Sequence, residues 1–189
     1  MKLKLILLVV FSLFLSNFSY SQDEGFGKYL TTEGHIKFFS HAPIEDIEAD
    51  NFDVLSIVNL DNNEIAMHVL MKSFLFEKSL MQEHFNENYV ESDKYPKAKF
   101  KGKISGFDPK NKNPQKVSIA GNLTIHGITR KIKISSILKM KQNKLYVEGY
   151  FYVLLKDYDI KVPQSTINNI AKSIKISFDI IHKSRKQTN

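Results

Sequence analysis

The sequence predicts an all-β protein, an extended antiparallel barrel of about eight strands with one or two short capping helices. Apolar residues recur at every second position through run after run, the spacing of a strand with one buried face. Short links containing Asn or Gly separate several of these runs, as they do between antiparallel neighbours. Each run carries an apolar row on one side only, and a long meander of such strands exposes two edges unless it closes on itself.

The runs fall near residues 27–33, 35–42, 52–61, 64–75, 96–107, 115–126, 128–142, 144–158 and 171–183, eight or nine strands in all. In the fourth, Ile65, Met67, Val69 and Met71 form an inner row, while Leu70 and Phe74 break the outer one and are expected to meet another element or cover an end. Tyr95-Pro96 restarts the chain in extended form, because a residue before proline is pushed out of the helical region. Ala98, Phe100, Gly102 and Ile104 then face one way, and Lys97, Lys99, Lys101 and Lys103 the other. Four lysines in a row keep that face wet and discourage edge aggregation.

Farther on, VSIAGNLTI sets Val117, Ile119, Leu123 and Ile125 in one row with Gly121, and KIKISSILKMK sets Ile132, Ile134, Leu138 and Met140. KLYVEGYFYVLL offers Leu145, Val147, Phe151, Val153 and Leu155, with Gly149 between. Its other face holds Tyr146, Glu148, Tyr150 and Tyr152, whose rings can pack while the hydroxyls stay wet. The last run supplies Ile174, Ile176, Phe178 and Ile180. Asp61-Asn62-Asn63, His126-Gly127 and Gln142-Asn143-Lys144 are the turn signals. Glycines 102, 106, 121 and 149, in or beside inner rows, either leave space inside or permit coiling and bulges.

Two segments break the period. Ser79 followed by Gln82 is a capping-box pattern, predicting a short helix from near Leu80. Leu80, Met81, His84 and Phe85 would share one side, with Met81 and Phe85 against the interior and His84 beside them. In EDIEADN, Asp46, Glu48 and Asp50 imitate a calcium loop, but Asn51 stands where glycine is needed and Ile57 holds the twelfth position. After Pro43 these carboxylates instead suit the first turn of a short helix, near its positive end.

The N-terminus has a different character. Lys2 and Lys4 precede an apolar run from Leu5 to Leu15, well short of the ~20 residues a spanning helix needs. With the small-residue exit Ser19-Tyr20-Ser21, residues 1–21 read as a secretory signal peptide cleaved near Ser21/Gln22. Residues 22–189 are then expected to form one domain, periplasmic or secreted. The absence of cysteine from the 189 residues excludes disulfides, thiolate metal sites, a cysteine nucleophile and a lipoprotein anchor. The formal charge of +7 falls to +5 without Lys2 and Lys4, and the other lysines are spread along the chain. That is a solvated surface rather than a nucleic-acid-binding arm, and it suits at most transient contact with an anionic membrane surface.

Signals for catalysis are missing. There is no G-x-S-x-G, P-loop or dinucleotide fingerprint, and Glu83-His84-Phe85-Asn86-Glu87 is not H-E-x-x-H. His35 and His41 lie near one early strand, whereas His84 and His126 are the histidines a small hydrolase or isomerase would use. No nucleophile-plus-base pattern accompanies them. The sequence therefore assigns no catalytic residue, metal or cofactor, and reads these histidines as local hydrogen-bonding groups.

Four segments, in order, carry a family resemblance: HIKFFSHA, HFNENYVESDKYPKAKF, GNLTIHGITRKI and KSIKISFDI. Through them the chain resembles the YceI-like family, exported lipid-binding proteins with a lipocalin-like extended β-barrel. The most specific match is the hairpin Leu123-Thr124-Ile125-His126-Gly127-Ile128-Thr129-Arg130, joined by Tyr95, Pro96 and Phe100 of a YP-x-x-x-F element. The chain departs at Lys131, where the family often has proline, and at EDIEAD, where many members have a glycine-containing turn. With no tryptophan, its likeness to true lipocalins is architectural.

The resemblance implies non-covalent binding of an isoprenoid-type or similar amphiphilic lipid along the barrel interior. The residues expected to face it are Phe38, Met67, Val69, Met71, Phe85, Phe100, Ile104, Val117, Ile119, Leu123, Ile125, Ile132, Ile134, Phe151, Val153, Ile174, Ile176 and Phe178. Met67 and Met71 would adapt to a flexible chain. The residue pattern alone is met equally by a barrel filled with these side chains, acting as an interaction module through its lysine face.

Overall fold

The alternating rows do become strands. In the computed structural model, which describes residues 26–185, they are β1 (Lys28–Thr31), β2 (His35–His41), β3 (Asp46–Asn51), β4 (Val54–Asn59), β5 (Glu64–Leu70), β6 (Leu75–Phe76), β7 (Lys97–Ser105), β8 (Gln115–Ile125), β9 (Ile128–Lys141), β10 (Lys144–Leu154) and β11 (Ser173–Ser184). One short helix, α1 (Ser79–His84), continues into a π-helical turn at Phe85–Tyr89. The expected leader, residues 1–21, lies outside the described residues.

Register reduces the eleven strands to eight. β1 and β2 pair with β4 and β3 as one hairpin, from Lys28 opposite Asn59 to His41 opposite Asp46. β5 and β6 follow along β4 and β3, parted by a 3-10 turn at Met71–Ser73. Each composite strand is antiparallel to the next, and β11 returns to pair with both β1 and β2. The result is a closed eight-stranded antiparallel barrel, which has no free edge through most of its wall.

Local chemistry explains the turns. His126 and Gly127 have φ of 51° and 76°, and Gln142 and Asn143 have 49° and 57°, the paired positive angles of two-residue hairpin turns. Gly102 lies opposite Gly121, where a Cβ on Gly102 would sit 2.5 Å from the Ala120 carbonyl oxygen and 2.8 Å from the Phe100 ring. A Cβ on Gly149 would lie 2.8 Å from the Phe178 ring. These glycines therefore admit close strands and seat phenylalanine rings rather than leaving empty space.

Three local expectations change. The acidic segment after Pro43 is strand β3, not a helix: Ile47, Ala49 and Asn51 are buried and Asp46, Glu48 and Asp50 point outward. Their partners stand on β2, with His41–Asp46 and Lys37–Glu48 at 2.6 Å and His35–Asp50 at 2.7 Å. Cross-strand pairing of opposite charge thus overrides the helix-start signal. β10 stops at Leu154, and Leu155–Tyr158 turns as a 3-10 helix ending at Asp159, φ 52°. Helix α1 begins at Ser79 without a side-chain cap, and Gln82 Oε1 accepts the Phe76 N–H instead at 3.3 Å.

Half of the barrel is solid. Val58, Leu138, Leu145 and Ile180 are fully buried, with Tyr29, Leu60 and Met140 around them. This is the end carrying the β4–β5, β7–β8 and β9–β10 turns. At the other end, α1, the β2–β3 turn, the β8–β9 turn and residues 155–172 form a cap.

Candidate ligand-binding cavity

Beneath that cap the barrel encloses a cavity of about 430 Å³. Inward rows of the strands supply its wall, and Met81, Phe85, Tyr89, Leu155, Ile160 and Ile170 supply its roof. Phe85 is the hub of the upper part, with its ring 5.0 Å from Phe76, 5.5 Å from Phe74 and 6.1 Å from Phe38. Tilted and edge-on aromatic contacts of this kind hold rings in place beyond simple burial. Met67 and Met71 of the β5 side offer flexible thioethers to the same space.

Polar lining is sparse. It comprises Glu45, Lys78, His84, Lys99, Thr166 and Asn169 with the Tyr89 hydroxyl, and all but Lys99 come from the capping segments. Lys78 Nζ meets Glu45 Oε1 at 2.6 Å, joining the β2–β3 turn to the start of α1. The hydrogen bond from Lys78 holds the Glu45 carboxyl below its ordinary range and raises Lys78 in turn. A Tyr89–Thr166 hydroxyl contact at 3.2 Å joins the cap to the segment between β10 and β11.

The structure brings most of the sequence-predicted residues to this cavity. Phe38, Met67, Val69, Met71, Phe85, Phe100, Ile119, Leu123, Ile125, Ile134, Phe151, Val153, Ile174, Ile176 and Phe178 all line it. Ile104 and Val117 do not, because they are buried in the solid half, and Ile132 stands half-buried at its flank. Sequence reading missed Ile36, Ile47, Phe76, Ile160 and Ile170. Ile36 and Ile47 alternate with outward charges on β2 and β3, a signal present in the sequence, whereas Ile160 and Ile170 sit in irregular chain with no period to reveal them.

The histidines do not converge. His35 and His41 lie on the outer face with their carboxylate partners, and His84 reaches the cavity lining. His126 is largely buried: Nδ1 donates to the Tyr158 carbonyl at 3.0 Å, Nε2 meets Glu91 Oε2 at 2.6 Å, and the ring packs edge-on to Tyr95 at 4.6 Å. Both nitrogens are thus engaged in fastening the β8–β9 turn to the cap. Among the described residues no group of three or more His, Cys, Asp or Glu side chains gathers to hold a metal. His182 is fully buried in the solid half, 2.8 Å from Ser56 Oγ. Burial pushes its pKa down to about 4, against a smaller opposing effect from the Leu145 backbone. The inner row of β11 leads straight to it, so the pattern ending at Ile180 carried that signal.

A closed meander of eight strands, solid at one end and hollow under a helical cap at the other, defines a capped β-barrel with an internal cavity. The chain belongs to the YceI-like family, whose domain model matches residues 19–181. Solved structures share the fold. A polyisoprenoid binding domain from Saccharophagus degradans superposes with TM-score 0.72 at 12% identity, covering 84% of this chain and 99% of that one. BcnA of Burkholderia cenocepacia gives 0.67 at 15% identity, with 78% and 95% covered. The Campylobacter jejuni YceI protein gives 0.64 at 17% identity, with 77% and 90% covered. No curated protein matches the sequence.

Proposed function

We propose that this protein is exported and holds an isoprenoid-type or similar amphiphilic lipid non-covalently, as a carrier or sequestering protein rather than an enzyme. The observation that carries this reading is the cavity itself, apolar through its depth and polar only where the cap meets the wall. A lipid tail would lie on Phe100, Leu123, Phe151 and Ile176, with its polar end beside Glu45, Lys78 and Asn169. Each buried methylene contributes about 0.8 kcal/mol, so a tail can bind tightly with few polar contacts. The description of the Saccharophagus degradans domain as polyisoprenoid binding supports an isoprenoid ligand, and the leader pattern of residues 1–21 supports export.

The test is organic extraction of protein purified without detergent, followed by mass spectrometry. A bound isoprenoid or related lipid is the expected result. An empty barrel that also fails to take up a fluorescent isoprenoid probe would end the proposal. Export is checked by amino-terminal sequencing of the protein from a periplasmic fraction, where Gln22 is the expected first residue.

A further inference from the structure

The positive charge of this molecule is concentrated on its wall, whereas at its mouth lysines and carboxylates are interleaved. Among the described residues no ion pair involves Lys97, Lys99, Lys101, Lys103, Lys131 or Lys133, whereas Lys78 at the mouth is held by Glu45. The pairings Lys101–Asn122–Lys131 and Lys103–Ala120–Lys133 set the β7 and β9 lysines on either side of the small outer residues of β8. Two strand spacings separate these rows, roughly 10 Å, just beyond the screening length of about 8 Å at physiological salt, so their fields reinforce one another increasingly as salt is lowered. On the outer face of β5 and β7–β10 the carboxylates among the described residues are Glu64 and Glu148. Among the described residues the cap has lysines without an ion pair too, Lys156, Lys161 and Lys172, but it interleaves them with Asp157 and Asp159 and adds Glu77, Glu83 and Glu87 around α1.

Beside β9 the hydrogen-bonded wall is interrupted. The β9–β10 ladder ends where Gly149 faces Ser136, although β9 begins at Ile128 and β10 runs to Leu154. Above that rung the two strands continue without ladder pairs, and Ile134, Phe151 and Val153 in this stretch line the cavity. This stretch without ladder pairs, the slit of the proposal below, is bridged at its top, where Arg130 Nε donates to the Asp157 carbonyl at 2.9 Å. Its outer lips are Lys131 and Lys133 on one side and Tyr150 and Tyr152 on the other, the tyrosines 56% and 60% exposed. Lysine and tyrosine both join an apolar body to a polar tip, the chemistry of a bilayer interface.

We propose that the β7–β10 wall docks on an anionic bilayer, and that the slit between β9 and β10 is the route by which a lipid tail passes between bilayer and cavity. The proposal rests on the lipid-binding reading above. Charge complementarity selects this wall over the mouth, and the slit places the cavity directly behind it.

The experiment uses mature protein and vesicles of phosphatidylcholine with or without phosphatidylglycerol, following cosedimentation and the transfer of dansyl-labelled farnesol from vesicle to protein. Binding and transfer should require phosphatidylglycerol and weaken with salt. Successive Lys101→Gln, Lys103→Gln, Lys131→Gln and Lys133→Gln substitutions should each weaken vesicle binding about fivefold. These variants should still take up the probe delivered without vesicles, since the lysines lie outside the cavity. In a second arm, Ser135→Cys with Tyr152→Cys provides the only thiols in the chain. Joining them with a short bis-maleimide should stop transfer, while the unlinked double variant transfers. Equal binding to neutral vesicles, indifference to the glutamine series, or transfer across a linked slit would overturn the proposal. So would loss of docking on Ile44→Asp and Leu80→Asp, which would place the contact at the mouth. Failure of the unsubstituted protein to take up free probe would instead remove the lipid-binding reading, and this inference with it.

Discussion

The cavity sets a limit on chain length. Its volume is about 430 Å³; at about 30 Å³ for each methylene-sized group, comparable to the share of a water molecule in the liquid, it accommodates on the order of fourteen carbons. That is close to three isoprene units. Each further unit adds five carbons, worth about 4 kcal/mol if wholly buried, or roughly a thousandfold in Kd. Affinity for linear isoprenoid alcohols should therefore rise steeply from two units to three. It should then change by less than about tenfold for the fourth, because fully buried Val58, Leu138, Leu145 and Ile180 close the far end. Competitive displacement of a fluorescent probe across the series measures this. An undiminished rise through four and more units would mean a barrel open from end to end, and no rise from two to three would mean that the tail lies elsewhere.

Other substitutions report on the frame around the cavity. Because His182 titrates near pH 4 in the folded chain and near 6.5 when unfolded, the unfolded state takes up the proton first as pH falls. Stability is then full above about pH 6.5 and lost progressively down to about pH 4, by about 3 kcal/mol in all. Urea unfolding at pH 7 and pH 4.5 should show a loss about 2 to 3 kcal/mol greater in the unsubstituted protein than in His182→Gln; equal losses would contradict the assignment. Gly149→Ala forces a methyl group against Phe178 and Ser136 and should cost about 1 to 3 kcal/mol, lowering the thermal midpoint by several degrees. An unchanged midpoint would show that the ring can move aside. Phe85→Ala removes the ring on which Phe38, Phe74 and Phe76 converge. It should destabilise the protein by about 3 kcal/mol and move the chain-length plateau to longer tails, as the same displacement series would show.

What the sequence revealed and what it hid follow from the range of the forces involved. Strand rows such as Val117, Ile119, Leu123 and Ile125 were legible because period two reports a buried face directly, and the His126-Gly127 turn because its backbone angles demand such residues. β3 was hidden although Ile47, Ala49 and Asn51 alternate correctly. Its carboxylates make sense only beside His35, Lys37 and His41 of β2, a cross-strand relation that no local window displays. Phe74 was recognised as belonging to some second element, but its meeting with Phe85 depends on how the chain folds back after β6. The division of the inner row also escaped sequence reading. Nothing local separates Ile104 and Val117, which pack into the solid half, from Phe100 and Ile119, which border empty space, since barrel taper and cap placement decide it.

Methionine methyl groups offer the most direct test of the lipid-binding reading. After removal of residues 1–21 four methionines remain, of which Met67, Met71 and Met81 line the cavity while Met140 is buried in the solid half. Carbon-13 methyl spectra of detergent-free, delipidated protein, recorded as farnesol is added, should show Met67, Met71 and Met81 shifting together to saturation while Met140 stays in place. Three unmoved cavity methyl groups, or a Met140 shift as large as theirs, would contradict a lipid site beneath the cap.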